Sequence, residues 1–382
     1  MATGRAFMTR ARDPRQYIVI AAWCKVRALM FPMTSPLGSS FLILATLVSL
    51  DARAAEPGWR EHDSTTIEAT LPTLAEGQLL IVEVSADWCT PCHALHNEVL
   101  ATPRADDVVG PDVAVVLDFD SDYGQRVKRE HGIVGIPSTL VFDRTGTERG
   151  RVEGYVGPDD YIAAVRDAKA GRLGLAAAEA KVKADPRDLE AKIELAQAHL
   201  IHGQEALGLR ELSAIIKADK SKDGDFAFRA AGAKGRWLLR VKEDGPAAIV
   251  HYRAMFERFA GTPHEPPILY WYASALAKTG HGELGVALFD AWIARAPTSS
   301  DARQLKADFM VQSGYAPAET EAYVRSLVAT SPEVAELHYF LSRLREKADD
   351  MAAARAEADE ALRLEPGEAI YQNRAAQLSA LR

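Results

Sequence analysis

The sequence predicts an α/β domain followed by an all-α repeat domain in one chain. Three observations carry this. Strand-like and helix-like stretches alternate up to about residue 170. After Gly171-Arg172-Leu173-Gly174, alanine and charged residues dominate and strand-like runs vanish. Beyond that point Pro263, Pro297, Pro332 and Pro366 recur 34, 35 and 34 residues apart, a period typical of stacked helical repeats. The chain has 382 residues, 48% of them hydrophobic. That is enough for two or three packed domains and excludes wholesale disorder. A formal charge of −8 argues against nucleic acid as a partner.

Residues 1–54 read as a leader. Phe41 to Leu50 is a short apolar run, and Ala52-Arg53-Ala54 offers a small-x-small cleavage site. The apolar run is too short for a comfortable membrane span, although an uncleaved anchor is the alternative. The stretch before it is long for such a leader, and Met30 or Met33 is an alternative start. Of the three cysteines, Cys24 lies in the leader. Cleavage leaves only Cys89 and Cys92, with none for a structural bridge. The expected organisation is therefore leader 1–54, α/β domain 55–170 and repeat domain 171–382.

After the leader a polar segment runs to about Asp63. Thr65 and Glu68 are spaced as a capping box and start a short helix that Pro72 interrupts. The apolar run 79–85 is a buried strand. Pro91 suits the first turn of a helix extending to about Leu100. Residues 112–119 form a second strand, 123–131 a helix, 138–142 a third strand, and 148–152 a fourth after the turn 143–147. Pro158 to Ala170 closes the domain as a helix with Tyr161, Ile162 and Val165 inward.

Cys89 falls where a strand ends and a helix begins. Unpaired N–H groups and the positive dipole end favour a thiolate there. A lowered thiol pKa makes Cys89 the expected nucleophile, and Cys92, one turn later, the resolving thiol. Cys89-Thr90-Pro91-Cys92-His93 also fits a c-type haem attachment pattern. A zinc site from Cys89, Cys92, His93 and His96 is a third reading, with ligands crowded into about one turn. The buried strand and Trp88 beside the first cysteine favour dithiol chemistry, with no cofactor and no metal.

Residues 64–170 resemble the thioredoxin family. Trp88-Cys89-Thr90-Pro91-Cys92 matches its W-C-x-x-C signature. Gly135-Ile136-Pro137-Ser138-Thr139 matches its second signature, and Gly154 falls where the family has a glycine after its last strand. Ala86-Asp87-Trp88-Cys89 is similar to the periplasmic domain of bacterial transmembrane thiol reductases. The resemblance implies a thioredoxin fold, a cis peptide before Pro137 that leaves the Ile136 backbone free to pair with substrate, and Trp88 shielding the thiol pair. It places Glu83, where relatives usually carry Asp, as proton acceptor for Cys92. Burial would raise its pKa toward neutrality. His93, often lysine in relatives, and His96 are read as solvated helix residues.

The proline period resembles tetratricopeptide repeats. Ala273, Leu276, Gly280 and Phe289 fall near the repeat's small, large, turn and large positions. Helices 189–201 and 205–217 fit an earlier unit. Tyr270, Trp271, Tyr272 and Trp292 are read as repeat core. Helical hairpins of this kind are expected to bury themselves only against their neighbours and to bind a protein along the concave face.

The function expected is that of an exported thiol–disulfide oxidoreductase, a reductant. Thr90-Pro91 lacks the histidine between the cysteines that marks strongly oxidising relatives. Its expected partners are proteins with disulfides or thiols, an unidentified electron donor, and a protein held by the repeats. The rival is a non-enzymatic assembly or chaperone scaffold in which the repeats act and the thioredoxin fold only docks.

Overall fold

The computed structural model of the chain describes residues 59–61, 66–221 and 224–380. The leader lies outside the described residues. The α/β domain is built on strands β1 (Trp59–Glu61), β2 (Leu80–Ser85), β3 (Val113–Asp118), β4 (Ser138–Phe142) and β5 (Glu148–Glu153), ordered β1-β3-β2-β4-β5. β1, β3 and β2 run parallel, and β4 and β5 are antiparallel. Helices α1 (Ile67–Thr70) and α4 (Asp122–Glu130) cover one face, with Leu80, Val82, Val84, Val127 and Leu140 in one apolar cluster. On the other face lie α2 (Thr90–Leu95), α3 (Ala105–Val109) and α5 (Pro158–Lys169). There Leu95, Val99, Val108, Ile162 and Val165 form a second cluster. Strand side chains alternate between faces, so Leu80, Val82 and Val84 face α1 and α4, while Ile81 and Glu83 face the other layer. A strand covered on both sides reads as a continuous apolar run, and Glu83 is its one charged residue.

Three sequence expectations are corrected here. The segment ending near Asp63 is not wholly irregular: Trp59–Glu61 adds β1 beside β3. A three-residue edge strand held through backbone groups is too short to show a period. The first helix is capped by Thr66, whose side chain accepts from Ala69 N at 3.1 Å, one residue later than the Thr65 spacing suggests. The helix after Cys92 is not uniform, since α2 gives way to a wider π-type turn at His96–Leu100. In addition, α3 was not foreseen.

The rest is helical: α6 (Leu175–Ala184), α7 (Leu189–Ile201), α8 (Glu205–Ala218), α9 (Asp225–Arg236) continued by Trp237–Val241, α10 (Gly245–Arg258), α11 (Glu265–Lys278), α12 (Gly282–Arg295), α13 (Ser300–Ser313), α14 (Pro317–Thr330), α15 (Ala335–Lys347), α16 (Met351–Leu364) and α17 (Ala369–Ala380). Pro263, Pro297, Pro332 and Pro366 sit in the turns between successive hairpins. Ala273, Leu276 and Phe289 are buried. A Cβ on Gly285 would stand 2.5 Å from the Phe309 ring, so the α12–α13 contact requires glycine there.

The hairpins do not bury themselves only against one another. Val134 of the α/β domain is 7% exposed, inside a cluster with Ile193, Leu200, Leu212 and Trp237. Gly132 has φ +63°, and a Cβ there would lie 2.6 Å from the Trp237 ring. Arg240 Nη1 donates to Val134 O at 2.6 Å. Lys128 Nζ pairs with Glu243 Oε1 at 3.4 Å. At the far end of the arc, α17 meets α2: Asn373 Nδ2 donates to His93 Nδ1 (2.6 Å) and Gln377 Nε2 to Asp87 Oδ2 (3.3 Å). Both ends of the arc are therefore tied to the α/β domain.

Candidate active site

β2 delivers its C-terminal end to the loop 86–89, and α2 begins directly after it. Cys89 is the N-cap of α2, in extended conformation, and its Sγ accepts from Cys92 N at 3.3 Å. Pro91 occupies the first turn, where its missing N–H costs nothing. Cys89 and Cys92 are joined as a disulfide with Cα atoms 5.2 Å apart. The two are 3% and 4% exposed. Cys89 is thus as buried as Cys92. Ala86, Trp88, Phe119 and Ile136 pack around the pair. Trp88 meets Phe119 edge-on at 6.1 Å and donates from Nε1 to Asp120 Oδ2 at 2.6 Å. The indole is therefore fixed beside the disulfide by its ring and by its polar tip.

The Ile136–Pro137 peptide is cis. Pro137 O accepts from Gly154 N at 2.8 Å, which ties this loop to the end of β5. The Ile136 N–H and C=O have no protein hydrogen-bond partner among the described residues, so both remain available to a strand-like ligand. Arg151 Nη2 donates to His131 O at 2.7 Å and steadies the same loop from below.

Glu83 is 1% exposed. Register explains its partners: Glu83 stands opposite Thr139 on β4, and the Thr139 hydroxyl bonds its Oε2. Tyr161, reaching in from α5, bonds Thr139 Oγ1 at 2.8 Å and Glu83 Oε2 at 3.5 Å. Oε1 is buried without a partner among the described residues. Burial pushes the Glu83 carboxyl up to about 8, against the pull of these two hydroxyls. Such a group exchanges a proton near neutral pH. Sequence reasoning placed Tyr161 inward but did not join it or Thr139 to Glu83. The second-signature strand facing β2 was the available signal.

His93 lies on α2, half-buried, accepting from Asn373 at Nδ1 and donating from Nε2 to Asp87 O at 2.7 Å. It is a link between domains rather than a solvated residue. His96 is exposed. No group of three or more His, Cys, Asp or Glu among the described residues is placed to hold a metal ion.

The disulfide does not face open solvent. Cys89 lines a cavity of about 1140 Å³ between the two domains. Its far wall comes from α11 and α13, including Tyr270, Trp271, Leu305 and Asp308, with Trp292 of α12. Cys92 lines a second cavity of about 610 Å³, together with Tyr339, Arg343 and Asn373 among others. The aromatics read as repeat core divide accordingly. Trp271 stacks on Phe228 at 5.3 Å while Tyr270, Trp271 and Trp292 also line the cavity. Tyr272 packs beside Phe256 at 6.3 Å.

Comparison with known proteins follows this division. Residues 69–169 match the family described as thioredoxin-like domain, and 168–230 match tetratricopeptide repeat. Residues 69–169 are a thioredoxin-like domain. A tetratricopeptide repeat follows it. The chain is 28% identical over 109 residues to the thiol:disulfide interchange protein DsbD of Citrobacter koseri, covering 27% of this chain and 19% of that protein. It is 27% identical over 97 residues to the DsbD of Salmonella typhi, covering 24% of this chain and 17% of that one. The chain thus spans under a fifth of the length of these relatives. Among solved structures, YrrB, a TPR protein with an unusual peptide-binding site, aligns at 15% identity and TM-score 0.29, over 52% of this chain and 98% of that one. A thermophilic TPR protein of Thermus thermophilus aligns at 16% and 0.26, over 58% and 94%.

Proposed function

We propose that the chain is an exported thiol–disulfide oxidoreductase of the reductase type. The observation that carries this is the Cys89–Cys92 disulfide at the start of α2, with the unpaired Ile136 backbone beside it and buried Glu83 in the strand before it. The likeness to thiol:disulfide interchange proteins supports the reading, and the apolar run 41–50 before Ala54 supports export to the periplasm. No helix among the described residues is long and apolar enough to cross a membrane.

In the dithiol form, the Cys89 thiolate attacks one sulfur of a substrate disulfide. A Cys89–substrate bond forms as the substrate bond breaks, and the departing thiolate takes a proton from water. The Cys92 thiol gives its proton to the Glu83 carboxylate and attacks Cys89 Sγ. The Cys89–Cys92 bond forms and the second substrate sulfur leaves as a thiolate, to be protonated in turn. The substrate gains two electrons from the pair and two protons from solvent. Solvent recovers those protons from the one Glu83 releases and the one given up when the Cys89 thiolate formed. A dithiol protein acting as electron donor restores the pair. Trp88 and Pro137 shape the approach to Cys89.

The repeats serve this chemistry by holding the protein substrate, since their inner face is turned toward the thiol pair. That arrangement supports the enzyme over the scaffold. The direction is tested by equilibrating the full-length protein in dithiol–disulfide buffers. A reductant predicts a midpoint in the range of roughly −200 to −270 mV, whereas an oxidant lies near about −120 mV. A midpoint at the oxidising end overturns the reductase assignment.

A further inference from the structure

Cys89 lines a cavity whose opposite wall belongs to the repeat domain, and three of its cations gather at one corner. Arg240, donating to Val134 O at 2.6 Å, stands beside the loop that carries Ile136. Lys278 of α11 and Lys128 of α4 line the same cavity. These cations lie within electrostatic reach of one another. Partial desolvation, then the charges of Arg240 and Lys128, lower Lys278 from the ordinary lysine value, with Glu243 pulling the other way, and the residue is exposed to water. Burial, then Arg236, lowers Arg240 likewise. Among the described residues neither Arg240 nor Lys278 has a carboxylate within ion-pair distance; the one acid at this corner, Glu243, is held by Lys128 at 3.4 Å. The wall also carries three carboxylates, each with a donor of its own: Asp120 accepts from Trp88 at 2.6 Å, Asp301 from Ser300 at 3.2 Å and Asp308 from Gln312 at 3.2 Å. Three cations that share the one carboxylate of Glu243 leave an excess of positive charge, which an anion relieves.

We propose that this corner binds an acidic side chain of the substrate, so that the enzyme acts on extended polypeptide segments carrying Asp or Glu near the reacting cysteine. The inference rests on the thiol-exchange reading and names its substrate class. Three features fix the occupant. The volume of about 1140 Å³ exceeds a drug-sized pocket and admits several residues of peptide. The arc, tied to the thioredoxin-like domain at both ends, stands opposite Cys89 across the cavity, which favours a thin extended segment over the face of a folded protein. The open N–H and C=O of Ile136 give a strand-like segment its register, and Arg240, anchored two residues before Ile136, stands where a neighbouring side chain of that segment reaches.

The test uses the reduced full-length protein and two unstructured disulfide-linked peptides, identical except for Glu or Lys at the positions flanking cysteine. A small neutral disulfide, bis(2-hydroxyethyl) disulfide, checks the thiol pair independently. The acidic peptide is expected to react with a kcat/KM about tenfold or more above the basic one at low salt. Added salt should shrink the difference, because screening weakens the attraction. In Lys278→Glu the preference should collapse or invert. Equal rates for the two peptides, alongside normal exchange with the neutral disulfide, overturn this inference and leave the thiol chemistry standing. No exchange with any of the three disulfides removes both.

Discussion

At the scale of single residues, Glu83 links the fold to the proposed chemistry. It sits on a strand buried on both faces, with hydroxyl partners supplied by β4 and α5. Its carboxyl is pushed up to about 8 by burial, from about 4.5 in an unfolded chain. The folded state therefore keeps a proton that the unfolded state releases. Stability is greatest below about pH 4.5 as far as this group is concerned. It falls as pH rises toward about 8 and levels off above that. Glu83→Gln keeps a partner for Thr139 and cannot ionise. Its stability relative to wild type should rise between pH 5 and pH 9 by roughly 3 kcal/mol or more, read from urea unfolding at each pH. Parallel curves for the two proteins would show that Glu83 is not held protonated. If Glu83 accepts the Cys92 proton, the same variant should slow resolution of the mixed disulfide by about 10²-fold or more.

At the scale of elements, the loop 131–137 does two things. Its end carries the cis Ile136–Pro137 peptide beside the disulfide, and its start docks the repeats through Gly132 and Val134. Gly132→Ala places a Cβ both at φ +63° and within 2.6 Å of the Trp237 ring. The backbone penalty alone is about 1–2 kcal/mol, and the indole must move as well. A loss of roughly 2 kcal/mol or more is expected in thermal or urea unfolding, and an unchanged midpoint would mean that Trp237 does not fix this contact. These elements also show where the sequence was legible. Strands 80–85, 113–118 and 138–142 were read closely because both faces are covered, so apolar residues dominate them without a polar alternation. Helix 189–201 was read by its period, and the turns between hairpins by their prolines. β1 and α3 were missed because three and five residues cannot display a period. The single-residue slip from Thr65 to Thr66 reflects two adjacent threonines that cap equally well.

At the scale of the whole molecule, the cysteines, Trp88, Glu83 and Pro137 were all legible, because local signatures carry them. The cavity was not. It depends on residues far apart in sequence, such as Asn373 against His93 and Arg240 against Val134, and no periodicity announces such pairs. The repeat domain was expected to hold a partner along its concave face. That face is turned toward Cys89 across the cavity, so on the proposed reading substrate binding and chemistry share one site. The claim on which the rest depends is that Cys89 forms the covalent link to substrate inside it. The direct measurement is trapping in the full-length protein: Cys92→Ser and Cys89→Ser variants, each exposed to the acidic disulfide peptide and analysed by intact mass without reductant. The account predicts a peptide adduct on Cys89 that accumulates in Cys92→Ser and little or none in Cys89→Ser. Adducts of equal yield on both variants, or on neither, would contradict it.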